Sequence, residues 1–264
     1  MLLENKVTVI YGAAGSIGST VSRAFGKEGA MVVLTGRNKE KLEVLANEIK
    51  GSGGKAMTAV VDANKEEEVN NHLKEVIKMV GRIDVSFNLI EIQNKQNIPL
   101  IEMTSHDVVD PVEKTMLTQF ITLTAAGRAM IKQESGVLLS LTATPAGVGY
   151  PNVGGFGPAC AALENFSRSL AIELGTYGVR VVNIRSGGSP DSRPFAEAMK
   201  TDPELHTAVI NKMKSDTMLK ELPMMKDIAN IAVFLASDMA AKITGITIDA
   251  TVGTTCGLNY RTTL

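Results

Sequence analysis

Gly12-Ala13-Ala14-Gly15-Ser16-Ile17-Gly18 joins a short β-branched run, Val7–Tyr11, to a stretch of helical periodicity. Glycines spaced this way make a tight turn, and the helix after them offers free N–H groups and a partial positive charge. That chemistry suits a phosphate, and strand–turn–helix is the context such a turn requires. Gly12, Ser16, Ile17 and Gly18 are therefore candidate phosphate-binding residues. A second candidate is Arg37, at the end of the next apolar run in Leu34-Thr35-Gly36-Arg37-Asn38. No carboxylate stands there to hold a ribose 2′-hydroxyl, and an arginine fork matches a phosphate instead. The pattern predicts a nicotinamide dinucleotide with a 2′-phosphate, NADP(H) in preference to NAD(H).

These groups need a scaffold of alternating strands and helices, and the sequence supplies one. Val7–Tyr11, Met31–Thr35, Ala56–Val61, Ile83–Asn88, Gly136–Thr142, Val179–Ile184 and Ile246–Ala250 read as strands, apolar enough to be covered on both faces. Between them Asn38 is a helix cap, Asn64 with Glu67 resembles a capping box, and Asp110-Pro111 and Asp202-Pro203 each give a cap followed by proline at the first helical position. Leu163, Phe166, Leu170 and Leu174 form a helical stripe. No linker or repeat interrupts the pattern. The expectation is α/β: one doubly wound Rossmann-type domain over residues 1–264, a seven-stranded parallel sheet with helices on both faces, and a substrate lid within 186–225. Met199, Met213, Met218, Met224 and Met225 crowd that lid segment and are expected as core filler, with a deformable apolar lid as the alternative.

Composition narrows the partners. The chain has 264 residues, 44% apolar, and a net charge of −1, which gives no pull toward nucleic acid or an anionic membrane. No apolar run approaches the roughly 20 residues of a membrane span, and the first strand begins too early to leave room for a signal peptide. Cys160 and Cys256, with three scattered histidines, give neither a disulfide framework nor metal-ligand spacing. A cytoplasmic protein without a metal is expected.

The Gly-rich turn, Val61-Asp62-Ala63, Asn88, Phe234-Leu235-Ala236-Ser237-Asp238 and Thr244-Gly245 together resemble the short-chain dehydrogenase/reductase family across almost the whole chain. The resemblance implies that Asp62 and Ala63 meet an adenine, that Asn88 and Gly187 belong to the cofactor site, and that the protein is a homodimer or homotetramer joined by the helices containing Thr115–Met130 and Ala159–Leu174. It also implies a catalytic Asn-Ser-Tyr-Lys tetrad, with a Tyr general acid/base whose pKa the Lys lowers. Carried onto this sequence the four places are Thr115, Ala143, Phe156 and Cys160. All are changed, and no Lys occurs between Lys132 and Lys200 to restore the pair at another spacing. Phe has no titratable proton, and Cys cannot supply a fixed positive charge. Three residues stand near enough in sequence to substitute: Glu91, which replaces a pocket Gly and is expected to be a buried carboxylate, Tyr150, and Thr142. Ordinary loop polarity is the preferred reading of Tyr150 and Thr142, and a packing role the preferred reading of Cys160.

Three functions fit this pattern. One is an NADP(H)-dependent oxidoreductase with weak or rewired carbonyl/alcohol chemistry. Another is a non-catalytic nucleotide-binding subunit or regulator paired with an active relative. The third, a cofactor-independent lyase, cyclase or dehalogenase, has no use for a phosphate turn.

Overall fold

The structure, a computed structural model, describes residues 1–256, the side chains of Ala198 and Met199 excepted. Residues 257–264 of the expected domain and the Met199 side chain lie outside the described part. The chain runs β1 (Val7–Tyr11), α1 (Ser16–Lys27), β2 (Met31–Gly36), α2 (Lys39–Gly51), β3 (Lys55–Val60), α3 (Glu66–Val80), β4 (Val85–Asn88), α4 (Ser105–Gln133), β5 (Gly136–Ala143), α5 (Phe156–Gly175), β6 (Val179–Ser186), α6 (Arg193–Thr201), α7 (Pro203–Asp216), α8 (Met225–Ala236) and β7 (Thr247–Ala250). The seven strands form one sheet in the order β3-β2-β1-β4-β5-β6-β7, and every pair is parallel. The single α/β domain expected from the sequence is present, each strand within two residues of its predicted bounds.

Side chains alternate across the sheet. Ile10, Val32, Leu34 and Phe87 pack under α1, α2 and α8 with Phe25, Leu42 and Ile228. Val9, Tyr11, Val33 and Leu138 pack under α3, α4 and α5 with Leu73, Leu123 and Leu170. Each fully buried Phe or Leu contributes about 1.5–3 kcal/mol of transfer free energy, so both faces are held shut, and the open ends of the strands are left to bind. After β3, at one edge, the chain crosses to β4 beside β1. The crevice at that switch lies above Gly12, Gly36 and Asn88, where such sheets bind ligands.

Two helix starts differ from expectation. Asn64 does not cap α3: Lys65 is the cap residue, with no side-chain bond. Asn64 instead donates its N–H and its Nδ2 to Asp62 Oδ1, at 3.1 and 2.8 Å. A carboxylate two residues back is the stronger acceptor and takes the residue out of the cap. Asp110-Pro111 does not begin a helix. α4 starts six residues before Pro111 with a capping box of Thr104 and Asp107, which leaves Pro111 buried inside the helix. That arrangement forgoes one backbone hydrogen bond. Asn38 and Asp202 do cap, accepting from Lys41 N at 2.8 Å and Leu205 N at 3.0 Å.

The lid methionines are not core filler. Met213 and Met225 are half-buried, Met218 and Met224 are exposed, and none of the four belongs to either core cluster.

Candidate functional site

A cavity of about 810 Å³ opens at the crevice. It is lined by the Gly-rich turn with Tyr11, Gly12, Ala14 and Gly15, by Arg37, Asp62 and Ala63, and by Ile90–Gln93, Lys114, Thr115, Gln119 and Arg193. The turn is as tight as its sequence implies. Gly12 has φ +70°, and a Cβ on it would stand 2.6 Å from Leu89 O, while a Cβ on Gly18 would collide with Gly12 O. A non-glycine residue at either place would push the turn off β4 or off α1. Gly15 N donates to Gly12 O at 2.9 Å and precedes α1, whose first turn has neither a side-chain cap nor an acidic residue. The free N–H groups there accept an anion. Ile17 faces the core under α1, so only its backbone serves the site. The Ser16 hydroxyl accepts from Arg193 N at 3.1 Å.

Past the ends of β2 and β3, Arg37, Asp62 and Ala63 complete this part of the lining. Arg37 is exposed on the cavity rim, close enough to Asp62 to act on its charge. The two hydrogen bonds from Asn64, with smaller help from Lys65 and Arg37, hold the Asp62 carboxyl below its usual range. It is therefore an ionised acceptor for an amine. Ala63 is buried beside it and leaves room for a flat ring. Asn88 is buried and committed to structure, donating to Thr122 Oγ1 at 2.9 Å and accepting from Ile90 N at 3.0 Å. Two residues of the cavity lining, Tyr11 and Gln119, each carry a buried side-chain oxygen with no partner among the described residues, the Tyr11 hydroxyl and Gln119 Oε1. A buried orphan of this kind costs about 1–3 kcal/mol unless a ligand or water meets it. Together with the cradle at Gly12, they make the residues present a fit for a dinucleotide.

The other sequence candidates divide. Thr115 is buried on α4 and lines the cavity. Ala143 ends β5, Phe156 opens α5, and Cys160 lies fully buried one turn further on; none of the three is among the cavity's lining residues. Burial pushes the Cys160 thiol up to about 11, a bond to Ala143 and the Arg185 charge only partly opposing it, so no thiolate nucleophile forms at neutral pH. Thr142 is spent inside the fold: its hydroxyl donates to Glu164 Oε1 at 2.8 Å and accepts from Asn183 Nδ2 at 2.7 Å. Glu91 is not the buried carboxylate expected. Its side chain is 58% exposed and pairs with Arg193 at 3.0 Å, because the segment after β4 runs outward along the cavity rim. Gly187 and Tyr150 line a separate small cavity of about 30 Å³ with Met213 and Asp216. Burial and then the Asp216 charge raise the Tyr150 phenol, the wrong direction for an acid/base group.

Sequence reading missed Lys114, Gln119 and Arg193, all of which line the cavity. Lys114 was legible only as the neighbour of Thr115, and Arg193 only as the first residue after the loop following β6. It also missed a buried ion pair beneath the site, Glu164 on α5 with Arg185 on β6. A charged residue within an apolar helical stripe was its only signal.

The family profile described as Enoyl-(Acyl carrier protein) reductase matches residues 12–255. The chain belongs to the short-chain dehydrogenase/reductase family. Among its relatives in that family, Short chain aldehyde dehydrogenase 1 of Euphorbia lathyris is 30% identical over 92% of this chain and 86% of its own. The 3-oxoacyl-(acyl-carrier-protein) reductase of Staphylococcus epidermidis strain RP62A is 28% identical over 94% of this chain and 98% of its own. In fold, this family member is similar to levodione reductase, with a TM-score of 0.89 and 24% identity over 97% of this chain and 100% of that one. Among the described residues no helix is long and apolar enough to cross a membrane, and no cluster of three or more His, Cys, Asp or Glu could hold a metal.

Proposed function

We propose that this family member binds NADP(H), in preference to NAD(H), in the crevice above β1 and β4, and that its carbonyl/alcohol redox chemistry is weak or rewired. One observation supports the cofactor reading above the rest: Arg37 and the Gly-rich turn line one cavity, just past the ends of the neighbouring strands β2 and β1. An arginine fork there meets a 2′-phosphate, while the turn meets the pyrophosphate. Asp62 accepts from the adenine amine, and Ala63 leaves room for the ring. When bound, the dinucleotide supplies or accepts a hydride.

The protein's part in such chemistry is to donate a proton and stabilise the oxyanion, and this chain is poorly equipped for both. Phe156 brings no proton, Ala143 no hydroxyl, and Cys160 a thiol raised by burial. Oxyanion stabilisation is usually the largest catalytic contribution, so its loss dominates. Glu91 and Tyr150 are the groups to test if turnover is found. The dismantled tetrad also favours a second reading, a nucleotide-binding subunit that pairs with an active relative.

Calorimetric titration with NADPH and NADH, followed by a panel of ketones and aldehydes, tests both parts. Tighter binding of NADPH with slow turnover fits the proposal; equal affinity for the two, or binding of neither, refutes it. Arg37→Ala is expected to cost NADPH at least about 1.5 kcal/mol, the value of a charge-assisted bond, and to leave NADH unchanged.

A further inference from the structure

We propose that Arg193 is a phosphate-binding residue of this site and that Glu91 holds it in reserve. The inference rests on the reading that a pyrophosphate sits at the start of α1. Arg193 opens α6, and its backbone N–H is bonded to Ser16 Oγ, the first side chain of α1, at 3.1 Å. That bond ties the two helix starts together and puts the Arg193 Cα beside the phosphate turn. Its guanidinium points along the rim instead, to Glu91 at 3.0 Å and Glu197 at 3.7 Å. All three side chains are more than half exposed, and ion pairs so solvated hold weakly. A pyrophosphate in the dry turn is a stronger acceptor and fits the arginine fork at two points. The first turn of α1 contains no carboxylate to oppose it. Arriving ligand therefore draws the guanidinium from Glu91 to the phosphates by side-chain rotation, with the Ser16 bond as pivot. Arg193 and Glu91 line the same cavity as Gly12 and Gly15 of the turn, so the rotation stays within one space.

The two members of the pair then have opposite effects. Glu91→Gln releases the arginine and is expected to tighten NADPH binding by about threefold or more. Arg193→Ala is expected to weaken it by about tenfold, consistent with one charge-assisted contact, and to reduce its salt sensitivity. Adenosine 2′-monophosphate, which has no pyrophosphate, serves as the second probe and is expected to bind the wild type and both variants alike. The measurement is calorimetry with each probe at two salt concentrations. Unchanged NADPH affinity in either variant overturns the proposal. So does an equal loss of both probes in Arg193→Ala, which would mean a damaged site. If the wild type binds neither probe, the nucleotide reading fails and this inference with it; if it binds both and the variants match it, only this inference fails.

Discussion

Glu164 and Arg185 meet at two points across α5 and β6, Nε to Oε1 at 2.8 Å and Nη2 to Oε2 at 2.6 Å. The Glu164 side chain is 5% exposed and that of Arg185 17%. Around the pair, Thr142 donates to Glu164, and Arg185 reaches Asp249 at 3.0 Å. Burial opposes ionising Asp249, but hydrogen bonds from Thr251, Thr255 and Arg185 outweigh it and hold the carboxyl below its usual range. Removing one partner of a buried pair strands a charge, at about 3–5 kcal/mol. Arg185→Met is expected to lower the unfolding free energy measured by urea denaturation by an amount in that range, and Arg185→Met with Glu164→Leu to recover most of it. Equal losses in the single and double variants would show that packing, not charge, is at stake.

His72 sets an acid limit on stability. Burial lowers its imidazole to about 4, and it lies 3.4 Å from Thr35 Oγ1 and edge-on to Tyr11. The folded protein thus keeps the ring neutral, while the unfolded chain protonates it near 6.5. The unfolded state binds the extra proton, so stability is complete above that pH and falls as pH drops from about 6.5 to about 4. The loss is on the order of 3 kcal/mol at the acid end. His72→Phe is expected to flatten this part of the denaturation profile, while an unaltered slope would assign the acid loss to other groups.

Restoring the tetrad gives a two-sided test of the weak-chemistry reading. Thr115→Asn, Ala143→Ser, Phe156→Tyr and Cys160→Lys made together are expected to raise NADPH oxidation over a ketone panel by at least about 100-fold, the usual value of a positioned proton donor. Ordinary wild-type turnover, about 1–1,000 per second, would instead mean that another acid is at work. Glu91→Gln and Tyr150→Phe would then be the first variants to assay.

The outer face of α4 and α5 makes the oligomer testable. Leu117 and Phe120 are exposed, and the Phe120 and Phe166 ring centroids are 6.0 Å apart. An apolar face of this kind favours a second copy. Light scattering is expected to give a dimer or tetramer for the wild type and a smaller species for Phe120→Asp. A monomeric wild type at micromolar concentration would refute the association.

The sheet was readable because local signals agreed: β-branched runs, a Gly-rich turn and caps such as Asn38 all pointed to one topology. That Arg37 and Asp62 share one cavity was readable for the same reason, since both follow strand ends whose position the sheet fixes. Glu91 and Arg193 were not, because their partnership joins segments 102 residues apart in the chain. Nor were Asn64 and Pro111. Each carries a valid local signal, and each was overruled by a neighbour: a stronger acceptor at Asp62 in one case and an earlier, better cap at Thr104 in the other.

Arg185 lies between two carboxylates, so the buried group it forms with Glu164 and Asp249 carries one net negative charge. A lysine at position 160, one helical turn before Glu164, would become a fourth member and bring the sum to zero. The ammonium would then meet an existing excess of negative charge, which favours its staying ionised. The carboxylates at 164 and 249 would thus tolerate a new cation at position 160, with no compensating change elsewhere.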